Sequence, residues 1–122
     1  MTLAEMTARL LKFRADRDWQ QFHNAKDQIL SLNLEAAELL ELTQWRQGDT
    51  LDIHLQTNRE AVSDELADVL GWVLLIAADQ GIDLPTAFAN KLAKNEAKYP
   101  VEQARGRAEK YTAYQHQPPE EA

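Results

Sequence analysis

The sequence predicts an all-α protein, and two observations support this fold class. Apolar residues recur at intervals of three and four along most of the chain, as they do on the buried face of an amphipathic helix. No segment shows the sustained alternation of apolar and polar residues that a half-buried strand requires. We therefore expect a bundle of four helices.

The first two predicted helices are bounded by capping and turn signals. The first covers about residues 2–14, because Thr2 and Glu5 have the three-residue spacing of a capping box. The second covers about residues 24–46, and the QGDTLD segment after it contains Gly48 as a stop signal. We expect this segment to be a turn.

The last two predicted helices are bounded by glycine and proline. The third covers about residues 58–80, with Asn58 as a candidate cap and Gly81 as the stop. The fourth begins near Asp83, carries Pro85 in its first turn and stops before Pro100.

Length and charge narrow the classes of function. A chain of 122 residues fits one compact domain, which we expect over residues 1–114, with a disordered C-terminal tail over residues 115–122. The 13 basic and 20 acidic residues give a net charge of −7, which argues against a sequence-independent grip on nucleic acid phosphates. The absence of cysteine excludes thiol catalysis and cysteine zinc sites.

Two features of hydropathy favour a soluble, cytoplasmic protein. The N-terminal segment lacks the basic region and apolar block of a signal peptide. The longest apolar run, residues 69–78, is about half as long as a bilayer span. We expect that run to be buried on several sides within the protein or against a partner.

Two pairs of carboxylates are the strongest candidates for a functional site. Glu35 and Glu38 on the second helix, and Glu65 and Asp68 on the third, have a spacing that places each pair on one helix face. If the two helices pack antiparallel, the pairs can meet and repel one another unless a cation neutralises them. Oxygen ligands of this kind favour magnesium or manganese.

Other interpretations of these pairs remain open at this point. Each pair alone is common on a solvated helix face, and the chain would then be a helical oligomerisation or interaction module without catalysis. A di-iron bundle requires Glu-x-x-His motifs, and none of the three histidines follows a glutamate at that spacing. Assay of magnesium-dependent pyrophosphate release separates the enzyme from the assembly module.

Four segments taken in order resemble a known family. They are RDWQQFH, LEAAELLELTQW, DELADVLGW and KLAKNEAKYP. The chain resembles the MazG-like all-α nucleoside triphosphate pyrophosphohydrolases, and most of all their dCTP pyrophosphatase branch. That branch usually has tyrosine where this chain has Trp72, and many other members have glutamate where it has Leu34.

The resemblance implies a fold, a reaction and a metal. It implies a four-helix bundle completed by oligomerisation, as a dimer or a dimer of dimers, with sites near subunit interfaces. It implies magnesium, with manganese as a possible substitute, held by Glu35, Glu38, Glu65 and Asp68. It also implies hydrolysis of a nucleoside triphosphate, with dCTP or a related pyrimidine as the expected substrate, to the monophosphate and pyrophosphate.

The chemistry of the substrate suggests roles for further residues. Glu38 is our candidate to position the attacking water or to accept its proton. Lys91, Asn95 and Lys98 share a helix face and are candidates to contact phosphates or sugar. The flat base would stack on aromatic side chains, for which we select Trp19, His23, Trp45 and Trp72, while we expect Phe22 to pack in the core.

Overall fold

The computed structural model describes residues 1–115, and all regular secondary structure in this range is helical. The all-α fold class is therefore confirmed. The helices are α1 (Leu3–Asp16), α2 (Ala25–Glu41), α3 (Gly48–Thr57), α4 (Arg59–Gln80), α5 (Leu84–Lys98), α6 (Val101–Ala104) and α7 (Thr112–Gln115), with a 3-10 turn at Gln20–Phe22 between α1 and α2.

The chain divides into two compact units, Met1–Ile82 and Asp83–Ala122. The predicted single domain over residues 1–114 stays a prediction. Of the predicted tail, only Gln115 lies within the described residues.

Helix α1 begins with the predicted capping box. The Thr2 hydroxyl oxygen accepts the Glu5 backbone N–H at 3.1 Å, and the Thr2 N–H donates to the Glu5 carboxylate at 3.3 Å. These bonds satisfy backbone donors that the first turn of a helix leaves without an intrahelical partner.

Helix α2 begins after Asn24, whose side-chain oxygen accepts the Asp27 N–H at 2.9 Å. It ends at Glu41, earlier than the predicted residue 46. The Thr43 hydroxyl donates to the Leu40 carbonyl at 2.8 Å, and the backbone N–H of Thr43 donates to the same carbonyl. The backbone N–H groups of Leu42 and Gln44 also donate to carbonyls three residues back, so a tight turn replaces the four-residue bonds of the α-helix.

Helix α3 occupies a segment that we expected to be a turn, so that prediction is wrong. Gly48 has a positive φ of 57° and is the first residue of the helix. Over this short segment the apolar residues Leu51, Ile53 and Leu55 alternate with polar ones, and the alternation, too brief to predict a strand, hides the helical period. In the structure Leu51 and Leu55 lie half-buried one turn apart, while Ile53 is exposed.

We expected Asn58 to cap the next helix through its side chain, but that side chain instead bonds to the end of α3. Its amide donates to the His54 carbonyl at 2.9 Å and lies 3.0 Å from His54 Nδ1. Asn58 precedes α4 without a side-chain capping bond to that helix.

Helix α4 is the centre of the first unit and packs against α1, α2 and α3. Of the apolar run at residues 69–78, Leu74, Leu75 and Ala77 are buried as expected, while Leu70 is exposed. Gly81 ends the helix at a φ of 67°, a left-handed conformation that glycine adopts at little cost. Among residues 1–115, no helix is both long and apolar enough to span a bilayer.

The second unit contains α5, whose bounds match the prediction. Pro85 lies in its first turn, and the helix ends at Lys98, before Pro100. Beyond it, the Lys98 ammonium lies 4.8 Å from the centre of the Tyr111 ring, and the Tyr99 ring contacts that ring edge-on at 6.1 Å.

Candidate active site

The packing of α2 on α4 brings three of the four predicted metal ligands together. Carboxylate oxygens of Glu35, Glu38 and Glu65 all lie within 4.8 Å of one another. Helix α2 contributes Glu35 and Glu38, which share a face because they are three residues apart, and α4 contributes Glu65. We call these three side chains the carboxylate cluster.

Two atoms of the carboxylate cluster are buried without a partner. Glu35 Oε2 and Glu65 Oε2 are shielded from solvent, and neither has a hydrogen-bond partner among the described residues. Burial is the main cause that raises the pKa of Glu35 to about 7, and the neighbouring carboxylates of Glu38, Asp68 and Glu65 raise it further. Burial and the charges of Glu38 and Asp68 also raise the pKa of Glu65.

The carboxylate cluster fits a divalent cation. A buried carboxylate oxygen without a partner is costly, and the cost grows when like charges surround it. A cation that accepted these oxygens as ligands would remove both penalties. All the donors in the cluster are carboxylate oxygens, which are the ligands of hard cations such as magnesium and manganese.

Asp68 lies between the carboxylate cluster and a neighbouring cavity. It is not part of the tight group of three, but its charge raises the pKa of both Glu35 and Glu65. The same side chain lines a cavity of about 320 Å³. The candidate cation site and the cavity are therefore adjacent.

The cavity is lined mainly by aromatic and apolar side chains from α1, α4 and the connection between α1 and α2. Its volume is at the lower end of the range for small-molecule sites. We call it the aromatic cavity, and its lining consists of Leu10, Phe13, Arg14, Trp19, His23, Ala67, Asp68, Gly71, Trp72 and Leu75.

The rings of the aromatic cavity contact one another in pairs. The His23 and Trp72 ring centres lie 5.3 Å apart with the planes tilted by 56°. Phe13 and Trp19 contact edge-on at 5.7 Å. Three of the four aromatic residues selected from the sequence, Trp19, His23 and Trp72, are thus brought to one cavity.

A partly buried polar network, which includes Arg14 from the lining of the aromatic cavity, was missed by the sequence analysis. The Arg14 guanidinium, 4% exposed, donates to both carboxylate oxygens of Asp79 at 2.7 and 2.8 Å. The buried Gln28 amide donates to Asp79 as well, at 2.7 Å. Arg14 and Gln28 hold the pKa of Asp79 below its usual value. The available signal was an arginine that follows Met6 and Leu10 at intervals of four, on the half-buried face of α1.

Trp45 and Phe22 lie elsewhere than expected. Trp45 is 97% exposed in the turn after α2, at a φ of 66°, and is not among the residues that line the aromatic cavity. Phe22 is 66% exposed, so the prediction that it packs in the core is wrong. Its place in a short 3-10 turn at the surface explains the exposure.

The predicted phosphate contacts belong to the second unit. Lys91, Asn95 and Lys98 all lie on α5, so their spacing is helical as expected. Their contact with substrate stays a prediction.

Fold and site together define an all-α protein with a carboxylate cluster beside an aromatic cavity. The model of the MazG-like family matches residues 30–113. The chain belongs to the MazG-like family, which confirms the resemblance seen in its sequence.

Curated relatives and a solved structure agree with this assignment. The chain is 38% identical over 117 residues to dCTP pyrophosphatase 1 of Bos taurus and 37% identical over 117 residues to dCTP pyrophosphatase 1 of Homo sapiens, covering 94% of this chain and 69% of each relative. The crystal structure of a pyrophosphatase from Archaeoglobus fulgidus is similar with a TM-score of 0.76 and 35% identity, over 80% of this chain and 91% of that one.

Proposed function

We propose that this protein hydrolyses a pyrimidine deoxynucleoside triphosphate, with dCTP as the first candidate, to the monophosphate and pyrophosphate. The enzyme class is that of the nucleoside triphosphate pyrophosphohydrolases, as the sequence predicted and as the relatives named dCTP pyrophosphatase 1 support. The observation that carries the proposal is that Asp68 adjoins the carboxylate cluster and also lines the aromatic cavity.

The proposed cation is magnesium, with manganese as a possible substitute. Glu35, Glu38, Glu65 and Asp68 would hold it, and the unpartnered oxygens of Glu35 and Glu65 support this assignment. Magnesium, when bound, would supply the positive charge that lets a polyanionic triphosphate approach a protein of net charge −7.

The aromatic cavity is the proposed site for the base. Trp72 follows Asp68 by four residues on α4, which corresponds to a rise of about 6 Å along a helix. A base stacked on Trp19 or Trp72 would therefore lie about one helical turn from the carboxylates that face the triphosphate. Stacking on an aromatic side chain contributes about 1 to 3 kcal/mol per base.

The carboxylates also supply the proton transfer. Glu38 is the exposed member of the carboxylate cluster, so we propose that it orients the attacking water and accepts its proton. Water attacks a phosphorus atom of the linkage between the α- and β-phosphates. The phosphorus–oxygen bond of that linkage breaks, and the nucleoside monophosphate and pyrophosphate are released. Lys91, Asn95 and Lys98 remain the proposed contacts to phosphates or sugar, and Trp45 remains a proposed base contact.

We also propose that the chain forms a homo-oligomer in the cytoplasm. Large apolar side chains lie exposed on α2 and α4, which would be costly in an isolated chain. They include Leu30, Leu34, Leu66 and Leu70. We propose assembly in addition to the enzymatic function. A non-catalytic interaction module would not account for the buried, unpartnered carboxylate oxygens of Glu35 and Glu65.

A substrate panel tests the proposed function. Purified protein is incubated with each nucleoside triphosphate, with and without magnesium, and the phosphate products are separated. We expect dCTP to give the monophosphate and pyrophosphate only with the divalent cation. Release of a diphosphate and orthophosphate, or turnover without any divalent cation, would contradict the proposal.

A matched pair of variants tests the role of Glu38. Glu38→Gln should lower kcat by about a hundredfold or more, because an amide cannot accept the proton. Glu41→Gln, an exposed position on the same helix, should leave kcat unchanged. Circular dichroism checks that both variants keep their helix content.

A further inference from the structure

The side chain of His23 has a defined partner in Arg14, another residue that lines the aromatic cavity. Its Nδ1 atom lies 3.3 Å from Arg14 Nη1. Within residues 1–115 this is the hydrogen bond that the structure shows for the His23 ring. The ring also lies beside Trp72, so its position is set from two sides.

The chemistry of the partner determines the tautomer. A guanidinium group has five N–H donors, no acceptor, and does not lose its proton in proteins. Arg14 must therefore donate, and His23 Nδ1 must accept with its lone pair. In a neutral imidazole the other nitrogen, Nε2, then carries the hydrogen. An imidazolium ring would instead direct a second N–H, and a like charge, at the guanidinium.

Arg14 is not free to turn away from His23. Two hydrogen bonds to the Asp79 carboxylate hold the guanidinium plane, and Gln28 holds Asp79 from its own side. Arg14 and Gln28 are both buried, so their N–H donors are shielded from water, while the Asp79 carboxylate that accepts these bonds is partly exposed. The network is a rigid support for one orientation of the His23 ring.

We propose that the network of Arg14, Asp79 and Gln28 fixes His23 as the neutral tautomer with hydrogen on Nε2, so that His23 donates a hydrogen bond to the base in the aromatic cavity. This inference rests on the proposed function. Arg14 is then a positioning residue for base specificity. The site would select a base that presents a hydrogen-bond acceptor to His23, such as O2 or N3 of cytosine.

Nitrogen NMR measures the tautomer directly, without substrate. The full chain is labelled with ¹⁵N-histidine, and long-range proton–nitrogen correlations are recorded, with His23 assigned by its loss in His23→Phe. We expect an unprotonated Nδ1 and a protonated Nε2. A hydrogen on Nδ1, or on both nitrogens at the pH of the activity assay, would overturn the proposal.

Variants test whether the Arg14 network causes the preference of His23 for the tautomer with hydrogen on Nε2. Arg14→Met alone leaves the partly exposed Asp79 carboxylate with Gln28 but without its guanidinium partner, which destabilises the protein. The double variant Arg14→Met with Asp79→Asn removes both charges together and keeps a side-chain oxygen that can accept from the buried Gln28 amide, so it is the safer form. We expect the His23 nitrogens to shift toward a mixture of tautomers in this variant. Arg9→Met, an exposed arginine on the same helix, should leave them unchanged.

Kinetics then separate positioning from general structure. In a protein that keeps His23, the double variant should lower kcat/KM for dCTP by about tenfold, which corresponds to the loss of one hydrogen bond between His23 and the base. In a His23→Phe background it should cause no further loss, because Arg14 acts through His23. Equal losses in both backgrounds would overturn the positioning role.

The two proposals fail in distinguishable ways. If no nucleoside triphosphate is hydrolysed, the proposed function fails while the NMR result on the tautomer still stands. If dCTP is hydrolysed but His23 carries its hydrogen on Nδ1, the function stands and the assignment of a donor to Nε2 fails.

Discussion

At the scale of a single residue, Glu35 explains why helix α2 carries a pair of carboxylates beside its apolar face. One of its oxygens is buried without a hydrogen-bond partner in residues 1–115, and burial together with three neighbouring carboxylates raises its pKa to about 7. The arrangement does not stabilise the fold by itself, because the charges repel one another. The residue pattern is understandable when a cation occupies the carboxylate cluster.

The raised pKa of Glu35 predicts how stability depends on pH without divalent cations. The folded-state pKa of about 7 exceeds the ordinary value of 4.5, so the folded protein keeps a proton that the unfolded chain has lost between these values. This contribution to stability is complete below about pH 4.5 and disappears as the pH rises through about 7. Glu65 acts in the same direction. Unfolding in urea with EDTA, from pH 5 to pH 8, measures the decline.

A variant isolates the part of this decline that belongs to Glu35. Glu35→Gln should flatten the pH dependence and should be more stable than the wild type at about pH 8, because the amide carries no charge. Glu41→Gln, an exposed control on the same helix, should keep the wild-type slope. Magnesium should stabilise the wild type more than Glu35→Gln. Identical slopes in all three proteins would exclude the cluster as the cause.

Trp72 is the residue at which base recognition and packing can be separated. It is half-buried, lines the aromatic cavity and contacts His23. Trp72→Phe should keep the fold and change the ranking of kcat/KM among the bases, because a smaller ring stacks differently. Trp72→Ala should cost up to about 3 kcal/mol of stability and weaken the discrimination further. An unchanged ranking in both variants would remove Trp72 from the base site.

At the scale of elements, the contact between α2 and α4 makes the site. Each helix alone carries a pair of acids that would be harmless on a solvated surface. Their packing places three carboxylates within 4.8 Å, and α4 continues past Asp68 to line the aromatic cavity. One rigid helix therefore sets the distance between the proposed cation site and the proposed base site.

Gly71 on α4 gives a prediction at this scale. A Cβ added at Gly71 would lie 4.0 Å from Leu10 Cδ1, which is an ordinary contact, and both residues line the aromatic cavity. Gly71→Ala should therefore raise stability by about 1 kcal/mol, because alanine favours the helix interior. The added methyl should also raise KM for dCTP by narrowing the cavity.

The control for Gly71→Ala is Ser63→Ala, which improves helix propensity at an exposed position of α4. Thermal unfolding and steady-state kinetics are measured on both variants. Ser63→Ala should leave KM unchanged. A lower stability for Gly71→Ala would show that the glycine is needed for closer packing than the structure contains.

At the scale of the whole molecule, the proposed assembly rests on exposed apolar side chains of α2 and α4. Leu30 and Leu34 lie one turn apart on α2, and Leu66 and Leu70 do so on α4, so each helix presents a continuous apolar stripe. A monomeric protein rarely exposes such stripes on neighbouring helices, and a second copy of the chain would cover them.

Light scattering after size exclusion tests assembly. The wild type should have a multiple of the mass of one chain, and Leu34→Glu or Leu70→Glu should lower it by placing a charge in the interface. Asn33→Glu adds the same charge about 100° away around α2 and should leave the mass unchanged. A wild type that elutes at the mass of one chain would exclude the oligomer.

The sequence by itself determined the features that depend on local spacing. The helices α1, α2, α4 and α5, the cap at Thr2 and the stop at Gly81 follow from periodicity and from residues that satisfy helix ends. The facing of Glu35 with Glu38, and of Glu65 with Asp68, follows from 3.6 residues per turn.

Only the tertiary structure decided the features that depend on contacts between distant positions. Arg14 and Asp79 pair across 65 residues, and no spacing rule relates them. Helix α3 forms although its apolar residues alternate with polar ones. Leu51 and Leu55 are half-buried by contacts that the sequence does not show. Trp19, His23 and Trp72 share a cavity while Trp45 is exposed, since the end of α2 at Glu41 places Trp45 in a surface turn. The raised pKa of Glu35 has the same origin, because desolvation arises only when the helices pack.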